Sequence, residues 1–428
     1  METKETVKKM ERAVLAGVHT GSLDALSDTT EETIAELARL ADTAEAEVVG
    51  TMIQNKSVIE KATYIGEGKI EELKNACAEL DANLVIFDDE LSPMQIRNLE
   101  KALEIRVIDR SMLILDIFAR HAESGEGKIQ VELAQLQYLL PRLTGMGTQL
   151  SRLGGGIGTR GPGETKLETD RRHIRRRISH LKEELEQVKK HRTLIRERRK
   201  KENRYVLALV GYTNAGKSTL LNRLTGADVL AQDKLFATLD PTARGLTLSD
   251  KREVTLIDTV GFIRKLPHHL IEAFKSTLEE AVFADALLIV ADGADDEVAA
   301  HLEVVSRLLD DIKAADKPRL IVFNKMDEQT EYKNLSLLEK DAPFVEVSAR
   351  ENKNIDALLG AIEEIVPGKK KEVSLLIPFS KGQLLSKLHS EHTILKEDYT
   401  AEGTRITCLL DAKTYAAFRD YVVEESRQ

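Results

Sequence analysis

The chain of 428 residues carries 62 basic and 72 acidic side chains and a formal net charge of −10. This length predicts about three domains of roughly 150 residues each. Two cysteines far apart in the sequence argue against a disulfide framework or a cysteine metal site and favour a reducing compartment. The amino-terminal segment lacks the apolar core of a secretory signal, and no apolar run is long enough to span a bilayer. We therefore expect a cytoplasmic protein without integral membrane association, while a peripheral membrane-associated fraction is left open.

Residues 1–110 predict an amino-terminal α/β domain. Short apolar runs alternate with segments of helical periodicity, which is typical of a mostly parallel sheet with crossover helices. The runs are Ala13–Val18, Glu47–Met52, Asn83–Phe87 and Arg106–Ile108, and the helical segments are Glu31–Leu40, Gly68–Leu80 and Ser92–Leu103. Asp88, Asp89 and Glu90 follow the third run and could hold a metal ion. A solvated loop before a helix capped by Ser92 is the favoured interpretation.

Residues 111–204 predict an antiparallel helical hairpin. Apolar residues step by three and four positions along two segments, as they do in the seam of a coiled coil. The first seam is Ile129, Leu133, Leu136, Leu140 and Leu143, and the second is Ile174, Ile178, Leu181, Leu185 and Val188. A glycine-rich stretch joins the seams and would form the tip of the hairpin. A flexible linker is the alternative interpretation, but long loops in compact proteins are often functional.

The hairpin also concentrates positive charge. Residues 171–204 hold 15 basic and 5 acidic side chains, a balance of +10 that leaves −20 for the remainder of the chain. Because so few acids neutralise this segment, contact with a phosphate backbone is favoured over simple solvation. The predicted RNA-binding residues are Arg152, Arg160 and Lys166 around the tip and Arg171, Arg172, Arg175, Arg176 and Arg177 on the second helix.

Residues 205–366 predict a nucleotide-binding domain with a doubly wound sheet. After the apolar run Val206–Val210, the chain reads Gly211, Tyr212, Thr213, Asn214, Ala215, Gly216, Lys217, Ser218 and Thr219, which matches the phosphate-binding loop pattern. Glycines at this spacing let backbone N–H groups surround a phosphate chain at the amino end of a helix. Lys217 would reach the terminal phosphates, and the Ser218 hydroxyl would ligate Mg²⁺.

Two further segments suit the phosphate end of such a site. Asp258, Thr259, Val260 and Gly261 follow a predicted strand, where Asp258 could hold Mg²⁺ through water and the Gly261 N–H could bind the last phosphate. Phe236, Ala237, Thr238, Leu239 and Asp240 form a loop before the next strand, where the Thr238 hydroxyl could complete the Mg²⁺ shell. Lys217, Thr238 and Gly261 are therefore the predicted catalytic residues, and Ser218, Thr238 and Asp258 are the predicted metal site.

Two segments suit the base. Asn324, Lys325, Met326 and Asp327 follow the run Leu320–Phe323, and the Asp327 carboxylate can accept from the paired N–H donors of guanine, which adenine lacks. Ser348, Ala349 and Arg350 follow the run Phe344–Val347 and could reach the guanine oxygen through backbone groups. All the segments in order predict a GTPase. An ATP-using enzyme is the alternative, but it offers no reason for Asp327.

Residues 371–428 predict a small α+β domain. A strand at Val373–Ile377 precedes a helix at Lys381–Leu388, two strands around Leu395 and Thr404–Leu410, and a helix at Ala412–Val423. The segment shows no catalytic spacing, so the sequence assigns it no chemistry.

The chain resembles the HflX family of translation-factor-class GTPases. The loop Phe236–Asp240 carries the family's FATLD pattern, and the other matching segments are Thr63–Leu73, Leu91–Glu100, Val131–Leu143 and Gly155–Ile178. The resemblance covers residues 10–366. It implies a GTPase that binds the large ribosomal subunit and its ribosomal RNA and splits or recycles stalled ribosomes under stress. It also implies that the hairpin tip points towards the peptidyl-transferase centre. We further expect a monomer in solution without a DNA partner.

One position departs from the pattern of many other GTPases. The residue after Gly261 is Phe262, which cannot orient the attacking water as a glutamine does. The resemblance to K⁺-stimulated GTPases makes Asn214 a candidate for placing K⁺ near the phosphates, and bracing of the loop is the alternative. Two other functions stay open at this point: a GTP-dependent signalling switch that acts on a protein partner without splitting ribosomes, and an RNA-binding protein with a vestigial nucleotide site.

Overall fold

The computed structural model describes residues 10–21, 30–143, 166–201, 204–227, 234–236, 239–249, 251–267, 270, 275–329, 342–366, 371–410 and 412–425. These residues form two compact units. The first comprises Met1–Leu246 and Val254–Ile355, and the second comprises Thr247–Glu253 and Asp356–Gln428. No described helix is both long and apolar enough to cross a membrane.

The amino-terminal part of the first unit is a parallel four-stranded sheet with helices on both faces, which confirms the predicted α/β class. Its elements are β1 (Glu11–His19), α1 (Thr30–Thr43), β2 (Ala46–Asn55), α2 (Glu67–Glu79), β3 (Leu84–Phe87), α3 (Pro93–Leu103), β4 (Arg106–Asp109) and α4 (Arg110–His121). The strand order is β2-β1-β3-β4. Alternate residues of β1 enter two cores, Ala13 and Leu15 on one face and Val14 and Ala16 on the other, as the two-residue period of a strand requires.

The loop after β3 differs from its favoured interpretation. Ser92 does cap α3, because its hydroxyl accepts from the Gln95 N–H at 3.3 Å in a capping box. Asp88, however, is not solvated: it is 1% exposed and its carboxylate pairs with Arg110 at 2.8 Å. The expectation of a solvated loop was wrong at this residue because a buried cation, distant in sequence, neutralises it.

Two long helices follow, α5 (Gly125–Arg142) and α6 (Lys166–Lys201). They pack through Leu133, Leu181 and Leu185, with Ile129, Leu136 and Ile178 beside them, so residues of both predicted seams meet. By contrast, Ile114 and Phe118 of α4 lie in the same core as Leu15. Helix α4, which the prediction assigned to the hairpin segment, therefore packs with the amino-terminal sheet.

The remainder of the first unit carries a six-stranded sheet in the order β10-β9-β8-β5-β7-β6. Its strands are β5 (Tyr205–Gly211), β6 (Thr242–Thr247), β7 (Glu253–Asp258), β8 (Ala286–Asp292), β9 (Arg319–Asn324) and β10 (Phe344–Glu346), with helices α7 (Lys217–Thr225), α8 (Lys275–Phe283) and α9 (Val298–Asp311). Strand β5 lies between β7 and β8 and runs parallel to both, so the loops after these strands meet at one edge. The sequence did not predict β6, whose segment TARGLT has no apolar alternation.

The second unit contains α10 (Ile355–Ile365), β11 (Lys371–Ile377), α11 (Gly382–Glu391), β12 (Thr393–Tyr399), β13 (Thr404–Leu410), α12 (Ala412–Phe418) and β14 (Val422–Glu425). The strands form an antiparallel sheet in the order β12-β13-β11-β14. The predicted helix Ala412–Val423 was too long, because α12 ends at Phe418 and the chain returns as β14. The β-branched pair Val422 and Val423 favours a strand there, and Val422 packs on the core of the sheet.

Candidate nucleotide-binding site

The phosphate loop has a backbone that requires glycine at two positions. Gly211 has φ +153°, and a Cβ there would lie 2.1 Å from the carbonyl oxygen of Val290. Gly216 has φ +87°, and a Cβ there would lie 2.3 Å from Nδ2 of Asn324. Asn214 is also left-handed, with φ 60°, which asparagine tolerates better than most residues. The loop therefore passes close to the carbonyl of Val290 and the side chain of Asn324.

Asn324 joins three of the predicted segments. Its side-chain amide donates to the carbonyl oxygen of Ala215 at 3.0 Å and accepts from the Ala349 N–H at 3.0 Å. Arg223 of α7 donates to the carbonyl oxygens of Ala349 and Arg350 at 2.9 and 3.0 Å. Asn324 and Ala349 thus brace the phosphate loop, which is a structural role in addition to any contact with a base.

Lys217 lies buried beneath the loop. Its ammonium group donates to the carbonyl oxygens of Gly211 at 3.2 Å and Tyr212 at 2.8 Å. Burial lowers the pKa of Lys217 to about 8, while the nearby Asp258 opposes this shift. The lysine is therefore a desolvated cation whose donors already point towards the loop.

Asp258 and Ser218 form a second polar pair in the same place. Ser218 Oγ donates to Asp258 Oδ2 at 2.6 Å. Asp258 is 0% exposed, and burial raises the pKa of its carboxyl group against the opposing effects of Lys217 and Ser218. Its second oxygen, Oδ1, is buried with no hydrogen-bond partner. An unsatisfied buried carboxylate oxygen beside a hydroxyl fits a Mg²⁺ site, because that ion takes oxygen ligands and water.

The segment around Gly261 lies directly against the phosphate loop. A Cβ on Gly261 would lie 2.6 Å from Cα of Thr213 and 3.0 Å from Nζ of Lys217. The Thr213 N–H donates to the carbonyl oxygen of Phe262 at 2.7 Å. Phe262 is 1% exposed and belongs to the core under the sheet, so its ring is turned away from solvent. Val260 is also buried, and Thr259 Oγ1 donates to the Leu209 carbonyl oxygen at 2.7 Å, so both side chains are structural.

The predicted base-binding residues follow β9. Lys325 has φ 62°, and its ammonium group pairs with Asp292 at 2.7 Å. A hydrogen bond from the Ser348 side chain lowers the pKa of Asp327 and so stabilises its carboxylate form. Asp327 Oδ1 is buried without a hydrogen-bond partner, so this oxygen can accept a hydrogen bond from a ligand. The Met326 side chain faces the protein interior, because a Cβ on Gly293 would lie 2.5 Å from its sulfur.

The loop from Phe236 to Asp240 differs from the expectation. Ala237 and Thr238 lie outside the described residues. Phe236 packs edge-on against Phe118 of α4, with ring centroids 4.8 Å apart, and Leu239 is 1% exposed in the same core. The Phe236 N–H does donate to Thr213 Oγ1 at 2.8 Å, but the described side chains of this loop contact the amino-terminal part instead of the phosphate loop.

Tyr212 makes a contact that the sequence did not predict. Its hydroxyl donates to Glu36 of α1 and accepts from the Arg264 N–H at 3.0 Å. Its ring stacks on His301 of α9 at 3.9 Å between centroids. The second residue of the phosphate loop is therefore held by α1, by α9 and by the segment after Gly261.

Glu36 belongs to a buried ionic cluster. Arg110 is buried between Glu36 and Asp88, and Lys265 pairs with Asp88 and with Asp89. The two carboxylates keep the pKa of Arg110 above its usual value despite burial. No motif marks these residues in the sequence. The one available signal was a charged residue directly after a strand, at Asp88 and Arg110.

The predicted RNA-binding residues are only partly described. Arg152 and Arg160, and the side chain of Lys166, lie outside the described residues. Arg172, Arg175 and Arg176 are exposed on α6, and Arg171 is half-buried. Arg177 is exposed too, but it donates to both carboxylate oxygens of Glu132 on α5, at 2.7 and 2.6 Å. Part of the basic run therefore holds the two helices together. Within the described ranges, no group of three acidic, histidine or cysteine side chains is arranged to hold a metal ion.

In comparison with known proteins, three consecutive stretches of the chain each match a protein family. Residues 31–119 match the GTP-binding GTPase N-terminal family, residues 121–199 match the GTP-binding GTPase Middle Region, and residues 206–325 match the 50S ribosome-binding GTPase family. The GTPase HflX of Caldanaerobacter subterraneus is 50% identical over 98% of this chain and 96% of its own length. That of Escherichia coli K12 is 44% identical over 88% of this chain and 89% of its own length.

The chain belongs to the HflX family of GTPases. As an HflX-family protein it binds GTP and GDP and hydrolyses GTP. A solved GTP-binding protein of Sulfolobus solfataricus in complex with GDP is 28% identical and covers 83% of this chain and 98% of its own. Its TM-score of 0.45 is too low for the structural comparison to add to the sequence matches.

Proposed function

We propose that this HflX-family GTPase binds the large ribosomal subunit and its ribosomal RNA and splits or recycles stalled ribosomes under stress. The observation that carries the proposal is the long basic helix α6, whose exposed arginines Arg172, Arg175 and Arg176 lie on an arm continuous with the GTPase. A basic helix suits a phosphate backbone. The match to the 50S ribosome-binding GTPase family supports the same partner. We propose a cytoplasmic monomer without a DNA partner.

The proposed chemistry uses residues that lie around the phosphate loop. Backbone N–H groups of residues 213–218 and the Lys217 ammonium group would bind the phosphates. Ser218, Thr238 and Asp258, the last through water, would hold Mg²⁺, which neutralises phosphate charge when bound. The unpartnered Asp258 Oδ1 beside Ser218 supports this assignment. The Gly261 N–H would bind the terminal phosphate, since this glycine lies against both Thr213 and Lys217.

Phe262 cannot position water, so intrinsic hydrolysis is expected to be slow without an added component. We propose that Asn214, whose backbone is left-handed, helps to place K⁺ near the phosphates. Equal turnover in K⁺ and Na⁺, measured with and without ribosomes, would leave Asn214 a bracing role only.

Asp327 is proposed to select guanine. In Asp327→Asn, one acceptor oxygen becomes a donor, so GTP affinity should fall by about 2–4 kcal/mol, as expected for lost hydrogen bonds to a charged group. Affinity for xanthosine triphosphate should rise, because its extra carbonyl can accept from the new amide. Titration of both nucleotides measures the switch, and an unchanged GTP affinity contradicts the assignment.

The ribosome proposal is tested by replacing residues 154–163 with a short Gly-Ser turn. Nucleotide binding should persist, because the phosphate loop begins about 50 residues later, beyond α6, which at about 1.5 Å per residue is tens of ångströms long. Splitting of purified ribosomes, followed by light scattering, should fall sharply, while salt-dependent sedimentation with large subunits should persist.

The matched variant reverses charge at Arg175 and Arg176 and should weaken sedimentation itself. If the protein without residues 154–163 splits ribosomes at the wild-type rate, the segment responsible for splitting lies elsewhere in the chain. Failure of the wild-type protein to sediment with ribosomal subunits would favour the second candidate, a GTP-dependent switch that acts on a protein partner.

A further inference from the structure

The Asp240 carboxylate lies at the amino end of helix α5. Its Oδ2 accepts from the backbone N–H groups of Glu123 at 2.9 Å and Ser124 at 2.7 Å, and its Oδ1 accepts from the Ser124 hydroxyl. Ser124 is the cap of the helix, and its Oγ accepts from the Gly127 N–H at 2.8 Å. A negative charge is favourable at this end of a helix. One carboxylate therefore binds the capping residue through both its backbone and its side chain.

The residues on either side of the loop's centre are fixed to the amino-terminal part. Before it, Phe236 packs on Phe118, and after it, Leu239 enters the same core. Asp240 is the last of the five predicted loop residues and the one that contacts α5. Any displacement of the loop that reaches Asp240 must break or carry with it three hydrogen bonds at the start of that helix.

Helix α5 extends from this contact along the described part of the hairpin to Arg142. Its 18 residues extend about 27 Å at roughly 1.5 Å per residue. Its first turn is also linked to α6, because Glu126 pairs with Arg192 at 2.9 Å, and Arg192 lies 3.7 Å from Glu280 of α8. The base of the hairpin is thus connected to the GTPase part at Asp240 and, separately, at Glu280.

We infer that Asp240 is a positioning residue that couples the nucleotide state of the loop Phe236–Asp240 to the start of helix α5, and through α5 to the hairpin. The inference rests on the proposed role of this loop in the nucleotide site. In the inferred role, Asp240 contacts neither the nucleotide nor Mg²⁺. Its carboxylate instead sets the position of Ser124, and a change in the loop alters the protection of the Glu123 and Ser124 amides.

Gly127 offers a substitution that displaces the carboxylate without removing it. A Cβ at Gly127 would lie 2.4 Å from Asp240 Oδ1, whereas a Cβ at Gly125, in the same turn of the helix, would have nothing within 4 Å. Alanine has a higher helix propensity than glycine, so neither substitution weakens α5 by itself. A Cβ at Gly127 would also lie 3.1 Å from Ser124 Oγ, so Gly127→Ala crowds both partners of the Asp240–Ser124 contact while Gly125→Ala crowds neither.

Hydrogen exchange of the full-length protein, without ribosomes, tests the inference. In the wild-type protein and in Gly125→Ala, exchange at Glu123 and Ser124 should differ about tenfold between GDP and a non-hydrolysable GTP analogue, the factor expected for one charge-assisted hydrogen bond. In Asp240→Asn and Gly127→Ala this difference should disappear. GDP affinity of Gly127→Ala and Gly125→Ala should stay within about twofold, because neither glycine lies in a segment proposed to bind the nucleotide.

Two results would overturn the inference. One is exchange at Glu123 and Ser124 that is independent of the nucleotide in the wild-type protein. The other is the same exchange difference in Gly127→Ala as in Gly125→Ala. Since no ribosome is present, failure of the ribosome proposal leaves this test unaffected. Failure of the proposed nucleotide site would appear separately, as absent nucleotide binding by the wild-type protein.

Discussion

Lys217 is a buried cation held by two backbone carbonyl oxygens and one nearby carboxylate. Burial brings the pKa of its ammonium group down to about 8 from its ordinary value of 10.5. Below pH 8 both the folded and the unfolded chain carry the proton, so the folded state bears the desolvation penalty. Between pH 8 and 10.5 the folded protein releases the proton first, and the penalty is relieved.

Nucleotide binding should therefore be linked to proton uptake by Lys217. Phosphate charge raises the lysine pKa, so at pH 9 the group passes from mostly neutral to charged on binding, and close to one proton is taken up. At pH 7 the group is already charged, and uptake should be small. Affinity should fall by up to about tenfold per pH unit above pH 8. Calorimetry in two buffers of different ionisation enthalpy measures the uptake, and equal uptake at both pH values would contradict the prediction.

The single-residue roles show where sequence reasoning was sufficient. The motif residues Lys217, Ser218, Asp258, Asn324 and Ala349 meet at one edge of the sheet, because parallel strands deliver their following loops to the same edge. Their assignment to nucleotide contacts stays a prediction. The contact of Asp240 with α5 could not have been predicted, since a carboxylate in a loop motif carries no sign of a helix cap more than a hundred residues earlier.

At the scale of the elements, the phosphate loop is held to α9 by a stacked pair of rings. His301 lies on Tyr212, and its side chain is buried. Burial lowers the pKa of His301 to about 4, and Arg264 and Arg39 lower it further against the effect of Asp295. The imidazole is therefore neutral at pH 7, so its proximity to Asp295 and Glu297 is not an ion pair at that pH.

The lowered pKa of the buried His301 predicts a loss of stability in weak acid. Between pH 6.5 and pH 4 the unfolded chain protonates His301 while the folded protein does not, so the free energy of unfolding should fall by about 3 kcal/mol across this range. His301→Phe should keep the stacked ring and remove that part of the slope. His180→Phe, on the exposed face of α6, is the control that removes an imidazole without touching the stacked pair. Denaturant titrations at several pH values measure the difference, and identical slopes for wild type and His301→Phe would contradict it.

Helices and strands with clear periodicity were predicted well, and the failures have physical reasons. Helices α1, α2 and α3 and the strands between them follow from apolar spacing alone. Strand β6 was missed because its stability comes from its neighbour in the sheet and not from its own pattern. The end of α12 was misplaced because Val422 gains more from pairing with β11 than from continuing a helix.

At the scale of the whole molecule, charge is distributed in two distinct ways. The basic excess of α6 is visible in the sequence, and among its described side chains Arg172, Arg175 and Arg176 are exposed, which suits a polyanionic partner. The formal charges of Glu36, Asp88, Arg110 and Lys265 sum to zero, and this cluster lies at the junction of the amino-terminal and GTPase parts. Composition could not predict that cluster, because its members are drawn from four separated segments that only the folded chain brings together.

Tyr212 limits how freely the amino-terminal and GTPase parts of this protein can be exchanged for foreign ones. Its phenol occupies the phosphate loop but finds its acceptor, Glu36, 176 positions earlier in the chain. A chimera that joins this GTPase part to a foreign amino-terminal part lacking an acceptor at that place would leave the buried Tyr212 O–H donor without a partner, at a cost of about 1–3 kcal/mol. We therefore expect such a chimera to tolerate a residue without a hydroxyl at position 212 better than tyrosine.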